Sequence, residues 1–332
     1  MRPFSYGKPG SEQDALDCAR SGDAMFIAGG TTIIDLMKLN VLVPSALVDI
    51  NGLPLNKIED QPDGSMRVGA LARNSDLAHD PRIASRYPAL SQAILSGASA
   101  QLRNMATTGG NLMQRTRCYY FRDPTCPCNK RHPGSGCSAI DGYHRIHAVL
   151  GGSDTCIATH PSDMAVALVA LDAEVHITGS GGERRVPITE FHLLPGNTPE
   201  KETVVAPGEL ITHVTLPRRP FASRSVYVKL RDRASYEFAL ASAATALELE
   251  GETIRAARVA LGGVATKPWR AVEAEEILTG AAVSEATFRR VAETALQGAV
   301  PRRHNAYKIE LAKRAVMRAL REAVEMSPEG SS

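Results

Sequence analysis

Five of the six cysteines of this 332-residue chain crowd into one segment, at Cys118, Cys126, Cys128, Cys137 and Cys156. The text around them, CYYFRDPTCPCNKRHPGSGC, is rich in Pro, Gly, Asn and basic residues and has no helical or strand period, so it has no core of its own to bury. Structureless loops beyond roughly 12 to 15 residues are uncommon in compact domains unless they carry function. Thiolates converging on iron or zinc would supply the missing organisation. Disulfides are the competing account. The opening MRPFSYGKPG carries no apolar h-region and no small-residue cleavage site, which points to synthesis in a reducing compartment and favours metal. Zinc sites usually show two short Cys-x2-4-Cys hooks, whereas the intervals here are seven, one, eight and eighteen residues. An iron–sulfur cubane tolerates wide spacing because each cysteine binds a different iron corner, and four of the five thiols suffice. Inert or redox-active free thiols are the remaining alternative. Cys18, alone in DALDCARSG, reads as a small buried apolar residue on a helix.

The 38 Lys+Arg against 36 Asp+Glu leave no basic stripe for nucleic acid, and 43% hydrophobic residues suit a soluble globular protein with more than one core. No apolar run approaches the roughly 18 residues that span a bilayer, which excludes membrane insertion. A helical period in SEQDALDCAR, the strand AMFI, the helix TTIIDLMKLN and the strand ALVDI make a compact α/β start. A second unit begins near Asn51 with RVGALARNSDLAHD, strand then helix, and the helical PALSQAILSGASAQLRN. It passes through the turn TTGGN and closes with PSDMAVALVALDAEVHIT and ELITHVTLP. From Ser225, strands flank a Glu250-Gly251 turn and three helical stretches follow, a pattern of strands then helices that predicts a separate α+β domain. The polar tail SPEGSS is expected to fray.

FIAGGTTIIDLMK places two glycines and two threonines between a strand and a helix, where free backbone N–H groups can cradle a pyrophosphate; a tight connection explains the same residues without a ligand. RNMATTGGNLMQ repeats the composition just before the cysteine segment, and two such cradles imply a long diphosphate ligand. Ser162 and Asp163 open a helix, either as cap and acidic first turn or as a contact to ribityl or ribose hydroxyls. Lys229 is a surface strand lysine by default, with a position near a flavin ring or its phosphates as the alternative. Tyr236 is a candidate to pack against a ring. His132, His144, His147 and His160 form no HExxH or comparable pair and are expected to be solvated loop residues. No GxSxG elbow or triad occurs.

In order and spacing, AGGTT, TTGGN, PSD, ELITHVTLP and YVKLRDRASYEFA resemble the FAD-binding subunit of the xanthine dehydrogenase and carbon monoxide dehydrogenase family over nearly the whole chain. Within that family the insert QRTRCYYFRDPTCPCNKRHPGSGC, followed by HRIHAVLGGSDTCIATHPSD, is most similar to the flavin subunits of bacterial periplasmic aldehyde oxidoreductases, which carry an additional 4Fe-4S cluster there. The resemblance implies that Phe26, Ile27, Ala28, Gly29, Gly30, Thr31, Thr32, Ile33 and Ile34 wrap the FAD pyrophosphate. Thr107, Thr108, Gly109, Gly110 and Asn111 then form a second phosphate and flavin-facing loop, and Asp163 holds a polar part of the cofactor. Ile211 and Lys229 match further flavin contacts. Cys118, Cys128, Cys137 and Cys156 match the cluster ligands, leaving Cys126 as a spare thiol or an alternative ligand. The implied fold is α+β: a vanillyl-alcohol-oxidase-like FAD-binding domain over residues 1–222, in two α+β subdomains of about 1–52 and 53–222 with the iron–sulfur insert at about 114–158. A C-terminal domain over 223–327, with a three-stranded antiparallel sheet and helices, and a tail at 328–332 complete it.

The same resemblance implies a non-covalent FAD subunit of a heterotrimeric molybdenum hydroxylase. Its partners would be a 2Fe-2S subunit and a molybdopterin-binding large subunit that oxidises an aldehyde. Electrons would reach FAD from the 2Fe-2S centres and leave to an external acceptor, and no side chain of this chain need act as acid or base. The expected location is the periplasm by co-export with a signal-bearing partner, or the cytoplasm. The rivals are a flavin subunit of a hydroxybenzoyl-CoA reductase-like or xanthine dehydrogenase-like enzyme, and a non-enzymatic zinc-loop interaction protein.

Overall fold

The computed structural model describes residues 1–20 and 23–326, so the expectation for the tail lies outside the described residues. The chain opens with β1 (Ser5–Gly7), β2 (Ala24–Ile27) and β3 (Ala46–Asp49), a parallel sheet in the order β1-β3-β2. Parallel neighbours need crossovers, which the helices Glu12–Ala19 and Ile33–Lys38 provide. Ser11 caps the first by accepting from the Asp14 N–H at 3.1 Å. That helix buries Ala15, Leu16 and Ala19, and this sets Cys18 on its exposed side. The expectation of a buried Cys18 is therefore corrected: at about 100° per residue it lies roughly 100° round the helix from the centre of the stripe that Ala15, Leu16 and Ala19 form.

The second unit is an antiparallel five-stranded sheet of β4 (Ile58–Asp60), β5 (Met66–Gly69), β6 (Glu174–Gly179), β7 (Gly182–Pro187) and β8 (Leu210–Leu216), ordered β4-β5-β8-β6-β7. Val175, Ile177, Val214 and Leu216 point into a core shared with the helices Asn74–His79, Pro88–Ser96 and Asp163–Ala170. Every residue from Met164 to Ala170 is buried. The helix read across PALSQAILSGASAQLRN is in fact two, Pro88–Ser96 and Ala100–Arg103. Gly97 ends the first, Ala98 turns the chain at φ +49°, and Ser99 caps the second through the Leu102 N–H. TTGGN is not a turn but opens the short helix Thr108–Leu112, because Thr107 Oγ1 accepts from the Gly110 N–H at 3.2 Å.

The third unit is an antiparallel sheet of β9 (Ser225–Leu230), β10 (Ala241–Glu250), β11 (Thr253–Gly262) and β12 (Trp269–Arg270), ordered β12-β11-β10-β9. Three long strands are joined by a two-residue fourth, which the three-stranded expectation lacked. Gly251 makes the β10–β11 turn at φ +57°. Both faces of this sheet are covered. Ala243, Leu247, Val259 and Leu261 pack on the helices Val272–Leu278, Glu285–Ala295 and Tyr307–Glu325, while Tyr227, Ala244 and Ala260 join the core of the second unit. Small alanines on strand faces let a helix layer approach from each side. The cavity described next is lined by residues of all three units.

Candidate cofactor site

A cavity of about 510 Å³ is lined by Thr31 and Thr32 of the first glycine loop, Gly110 and Asn111 of the second, Asp163 at its helix start and Lys229 on β9. Six of the sequence-predicted residues thus meet around one space, of the size ligand sites usually have. The others stand behind it. Phe26 and Ala28 pack on the small core beneath β2, Ile27 closes the strand, and Ile33 and Ile34 continue into the helix. Thr107, Thr108 and Gly109 are buried in the floor: Thr108 donates to the Ala72 carbonyl at 3.2 Å, and Gly109 lies against Ala70. Ile211 is a core residue of β8 and does not line the cavity.

The two glycine loops touch. A Cβ at Gly29 would sit 2.0 Å from the Met105 carbonyl oxygen, so Gly29 serves the contact between the loops and does not itself face the cavity. Gly30 holds φ +72°. Asn51 joins Ala28 to the same junction through a 2.9 Å bond from its Nδ2. Gly110 differs: within 4 Å a Cβ there would meet only Thr107 Oγ1, at 2.9 Å.

Asp163 and Lys229 form a buried pair. Lys229 Nζ lies 2.8 Å from Asp163 Oδ2, with side chains 3% and 9% exposed, and also donates to the Ser96 carbonyl at 3.1 Å. This corrects the reading of Lys229 as a surface residue. Tyr227 donates to the other carboxylate oxygen at 2.5 Å, and burial, reinforced by Asp163, pushes the phenol well above its usual range. Ser162 caps the helix through the Ala165 N–H at 3.0 Å and donates to Asn111 Oδ1 at 2.5 Å, tying the second glycine loop to Asp163.

Sequence reasoning missed the arginines. Arg103, Arg117, Arg122 and Arg233 join Lys229 in the lining against Asp35, Asp163 and Glu237, an excess of positive charge suited to a diphosphate. Arg103 Nε, Arg117 Nε and Arg122 Nη1 are buried without a hydrogen-bond partner, as is Asn74 Oδ1. Buried donors left open in a native fold ask for an acceptor, and Thr32 makes no side-chain capping bond either. The residues present therefore fit a flavin dinucleotide. Their scatter from Arg103 to Arg233 leaves no local motif to read. Tyr236, at φ +54°, and Phe238, stacked under Arg117 at 4.9 Å, stand in the wall as aromatic surfaces. A smaller cavity of about 190 Å³, lined by Arg117, His160, Asp163 and Ser242, shares this wall.

The cysteine segment is more ordered than its composition predicts. Short helices Tyr119–Arg122 and Ser138–Asp141, an antiparallel backbone β-bridge that pairs residue Cys128 with Cys137, and Arg131 bonded to the carbonyls of Tyr120, Phe121 and Cys126 organise it around a small apolar cluster. Cys118, Cys128, Cys137 and Cys156 line one small space, and none of the six cysteines is disulfide-bonded. Cys126 stands apart, its thiol donating to Asp123 at 3.6 Å. Burial pushes the Cys118 thiol up to about 12 and raises Cys156. Buried Lys130, pulled down to about 8 chiefly by burial, stands in the wall of that space. Four sulfur donors beside a cation fit an anionic iron–sulfur cluster. The expectation of solvated histidines holds for His132 and fails for His144, His147 and His160, which are buried or nearly so. His147 reaches Cys118, and His160 packs edge-on against His192 at 4.3 Å.

Two families match. That described as FAD binding domain in molybdopterin dehydrogenase covers residues 2–219, and that described as CO dehydrogenase flavoprotein C-terminal domain covers 226–323. The chain is 50% identical to the aldehyde oxidoreductase FAD-binding subunit PaoB of Escherichia coli (strain K12), over 97% of this chain and 99% of that protein. It is 29% identical to the glyceraldehyde dehydrogenase medium chain of Sulfolobus acidocaldarius, over 96% and 98%. Among solved structures, a chain of carbon monoxide dehydrogenase from Hydrogenophaga pseudoflava superposes with a TM-score of 0.76 at 26% identity, covering 97% of this chain and 98% of that one.

Proposed function

The chain belongs to the FAD-binding medium subunits of the molybdenum hydroxylases, and from that premise we propose that it is the FAD and 4Fe-4S electron-transfer subunit of a heterotrimeric molybdenum-dependent aldehyde oxidoreductase. The observation that carries the reading is the convergence of Cys118, Cys128, Cys137 and Cys156 on one space, with Cys118 directly following Arg117 of the cavity lining. Half-identity to an aldehyde oxidoreductase subunit supports the substrate class. The molybdenum site and the 2Fe-2S centres belong to the large and small partners. FAD, when bound, supplies the exchange between single electrons from iron–sulfur centres and the electron pair given to an external acceptor.

The chain's own part is binding and electrostatics. Thr32, Gly110 and the arginines hold the diphosphate, the Asp163–Lys229 pair fixes a charged wall, and Tyr236 and Phe238 limit water at the rim. Cys118, Cys128, Cys137 and Cys156 hold the cluster, and Lys130 offsets its charge. Among the described residues no helix is long and apolar enough to cross a membrane; periplasmic residence by co-export is part of the reading and is checked by fractionating cells that lack the partner's signal. The central test is the native complex itself. Flavin absorbance, about four irons and four sulfides per chain for the cubane beyond the partner's clusters, and aldehyde-dependent acceptor reduction are expected. A complex holding zinc instead of that iron would sink the cluster assignment. Turnover only towards reduction of an aromatic thioester would favour the hydroxybenzoyl-CoA reductase-like role.

A further inference from the structure

One carboxylate joins the flavin cavity to the cysteine segment. Asp35 stands in the first turn of the helix Ile33–Lys38, just after the AGGTT loop, where an acidic side chain suits the helix dipole and needs no further role. Its contacts reach further. Asp35 Oδ2 accepts from Arg117 Nη1 at 3.2 Å and from Arg122 Nη2 at 2.8 Å, and Oδ1 accepts from the same Arg122 nitrogen at 3.0 Å. The two arginines lie 82 and 87 residues further along the chain, one on each side of Cys118.

The clasp leaves positive charge over, because two guanidinium groups share one carboxylate. All three side chains line the cofactor cavity, and Arg117 Nε and Arg122 Nη1 are buried there with no hydrogen-bond partner. Burial, and after it Arg122, pushes Arg117 below the usual arginine range, as expected where like charges crowd in a dry wall. The same residues hold Cys118. The Arg122 N–H donates to the Cys118 carbonyl at 3.1 Å and closes the turn Tyr119–Arg122, while Arg117 precedes Cys118 directly and stacks on Phe238 at 4.9 Å. Fixing the two guanidinium groups therefore fixes the backbone on both sides of that sulfur. An anion that takes up their open N–H groups stiffens the segment presenting Cys118, and a ligated Cys118 holds the arginines ready for the anion. Order imposed by one binding event is already in place for the other.

On the reading that this chain binds both FAD and a 4Fe-4S cluster, we propose that Asp35 is a positioning residue for the two together: it anchors Arg117 and Arg122 to the first glycine loop, so that flavin and cluster strengthen each other's binding. Without the carboxylate the arginines repel each other, and each group binds without the help of the other.

The test uses the assembled complex freed of flavin, with FAD affinity read from flavin fluorescence quenching in wild type, Cys137→Ser, Asp35→Asn and the double variant. Cys137 is no part of the cavity lining. Its replacement should weaken FAD binding at least about fivefold when Asp35 is present and by less than about twofold when it is not. Asp35→Glu, which restores the charge, should restore the dependence. An equal effect of Cys137→Ser in both backgrounds, including none in either, would overturn the proposal. A second measurement needs no cysteine variant: a chelator should bleach the 4Fe-4S electron paramagnetic resonance signal faster in flavin-free than in flavin-loaded wild type, and equally fast in both forms of Asp35→Asn. Equal rates in the two wild-type forms would overturn it as well. A wild-type complex with flavin but no 4Fe-4S signal would instead sink the cluster reading, and this inference with it.

Discussion

His147 Nε2 lies 3.1 Å from Cys118 Sγ, inside the cluster of buried side chains that holds four of the cysteines. Its backbone carbonyl is gripped by Lys308 Nζ at 3.1 Å and by Asn305 Nδ2 at 3.4 Å, so the long C-terminal helix Tyr307–Glu325 and the residue pair before it set the ring against the thiol. Burial lowers His147 to about 4, which keeps it neutral, and an Nε2–H tautomer donates to a thiolate. In the 4Fe-4S site proposed above, hydrogen bonds to ligand sulfurs would favour the reduced state by spreading its extra charge. His147→Ala is expected to lower the cluster midpoint potential by roughly 40 mV, the one-electron equivalent of about 1 kcal/mol. His147→Gln, which keeps a donor, should recover part of the shift. Redox titration followed by electron paramagnetic resonance reads both, and equal potentials in all three proteins would remove the bond from the account.

The two glycine loops separate packing from binding. Gly29→Ala drives a Cβ against the Met105 carbonyl and should unfold the loop junction, seen as lower yield and a lower Tm. Gly110→Val has room apart from Thr107 and faces the cavity, so it should fold and lose flavin. Flavin-to-protein ratio beside a melting curve distinguishes them. A Gly110→Val protein with full flavin content would move the phosphate path elsewhere.

Much of the architecture was legible because period and punctuation agree: AMFI and ALVDI as strands, the apolar helix from Asp163, and the Gly251 turn. The site was legible only where a local motif existed. AGGTT and TTGGN advertise their backbone, but the Asp163–Lys229 pair joins residues 66 apart, and its burial follows from β9 packing on two helices. Arg103, Arg117 and Arg122 belong to no sequence motif, and nothing in their neighbours reports the cavity. His147 and His160 read as solvated in the sequence because a loop of polar composition hides the apolar cluster formed when it folds back on Phe121 and Ile157.

Removing one member of the Asp163–Lys229 pair strands the other in a nearly dry site. Asp163→Ala leaves Lys229 and the Tyr227 hydroxyl without their acceptor and should cost about 3 kcal/mol. Lys229→Met should cost less, because Tyr227 continues to satisfy one carboxylate oxygen. The double variant should lie well short of the sum of the singles. Urea unfolding of the four proteins gives the coupling energy, and additive losses would mean that the pair contributes nothing beyond its separate contacts.

His192 contributes to the acid limb of stability. Its ring is buried, donates from Nε2 to the Leu112 carbonyl across 3.1 Å, and is lowered to about 4, first by burial and then by Lys267, against the raising effect of the Leu112 bond. The unfolded chain takes up this proton below its ordinary value near 6.5, whereas the folded chain resists until about 4. Between those values the unfolded state binds more protons, so stability falls as pH falls from about 6.5 towards 4 and this contribution then levels off. The full window is worth at most about 3 kcal/mol. His160, also lowered by burial and in edge contact with His192, acts in the same direction. His192→Gln retains a donor for Leu112 without a titrating ring, and its unfolding free energy should therefore decline less steeply than that of the wild type between pH 6.5 and 4. Parallel pH profiles from urea melts would show that the His192 proton is not taken up on unfolding.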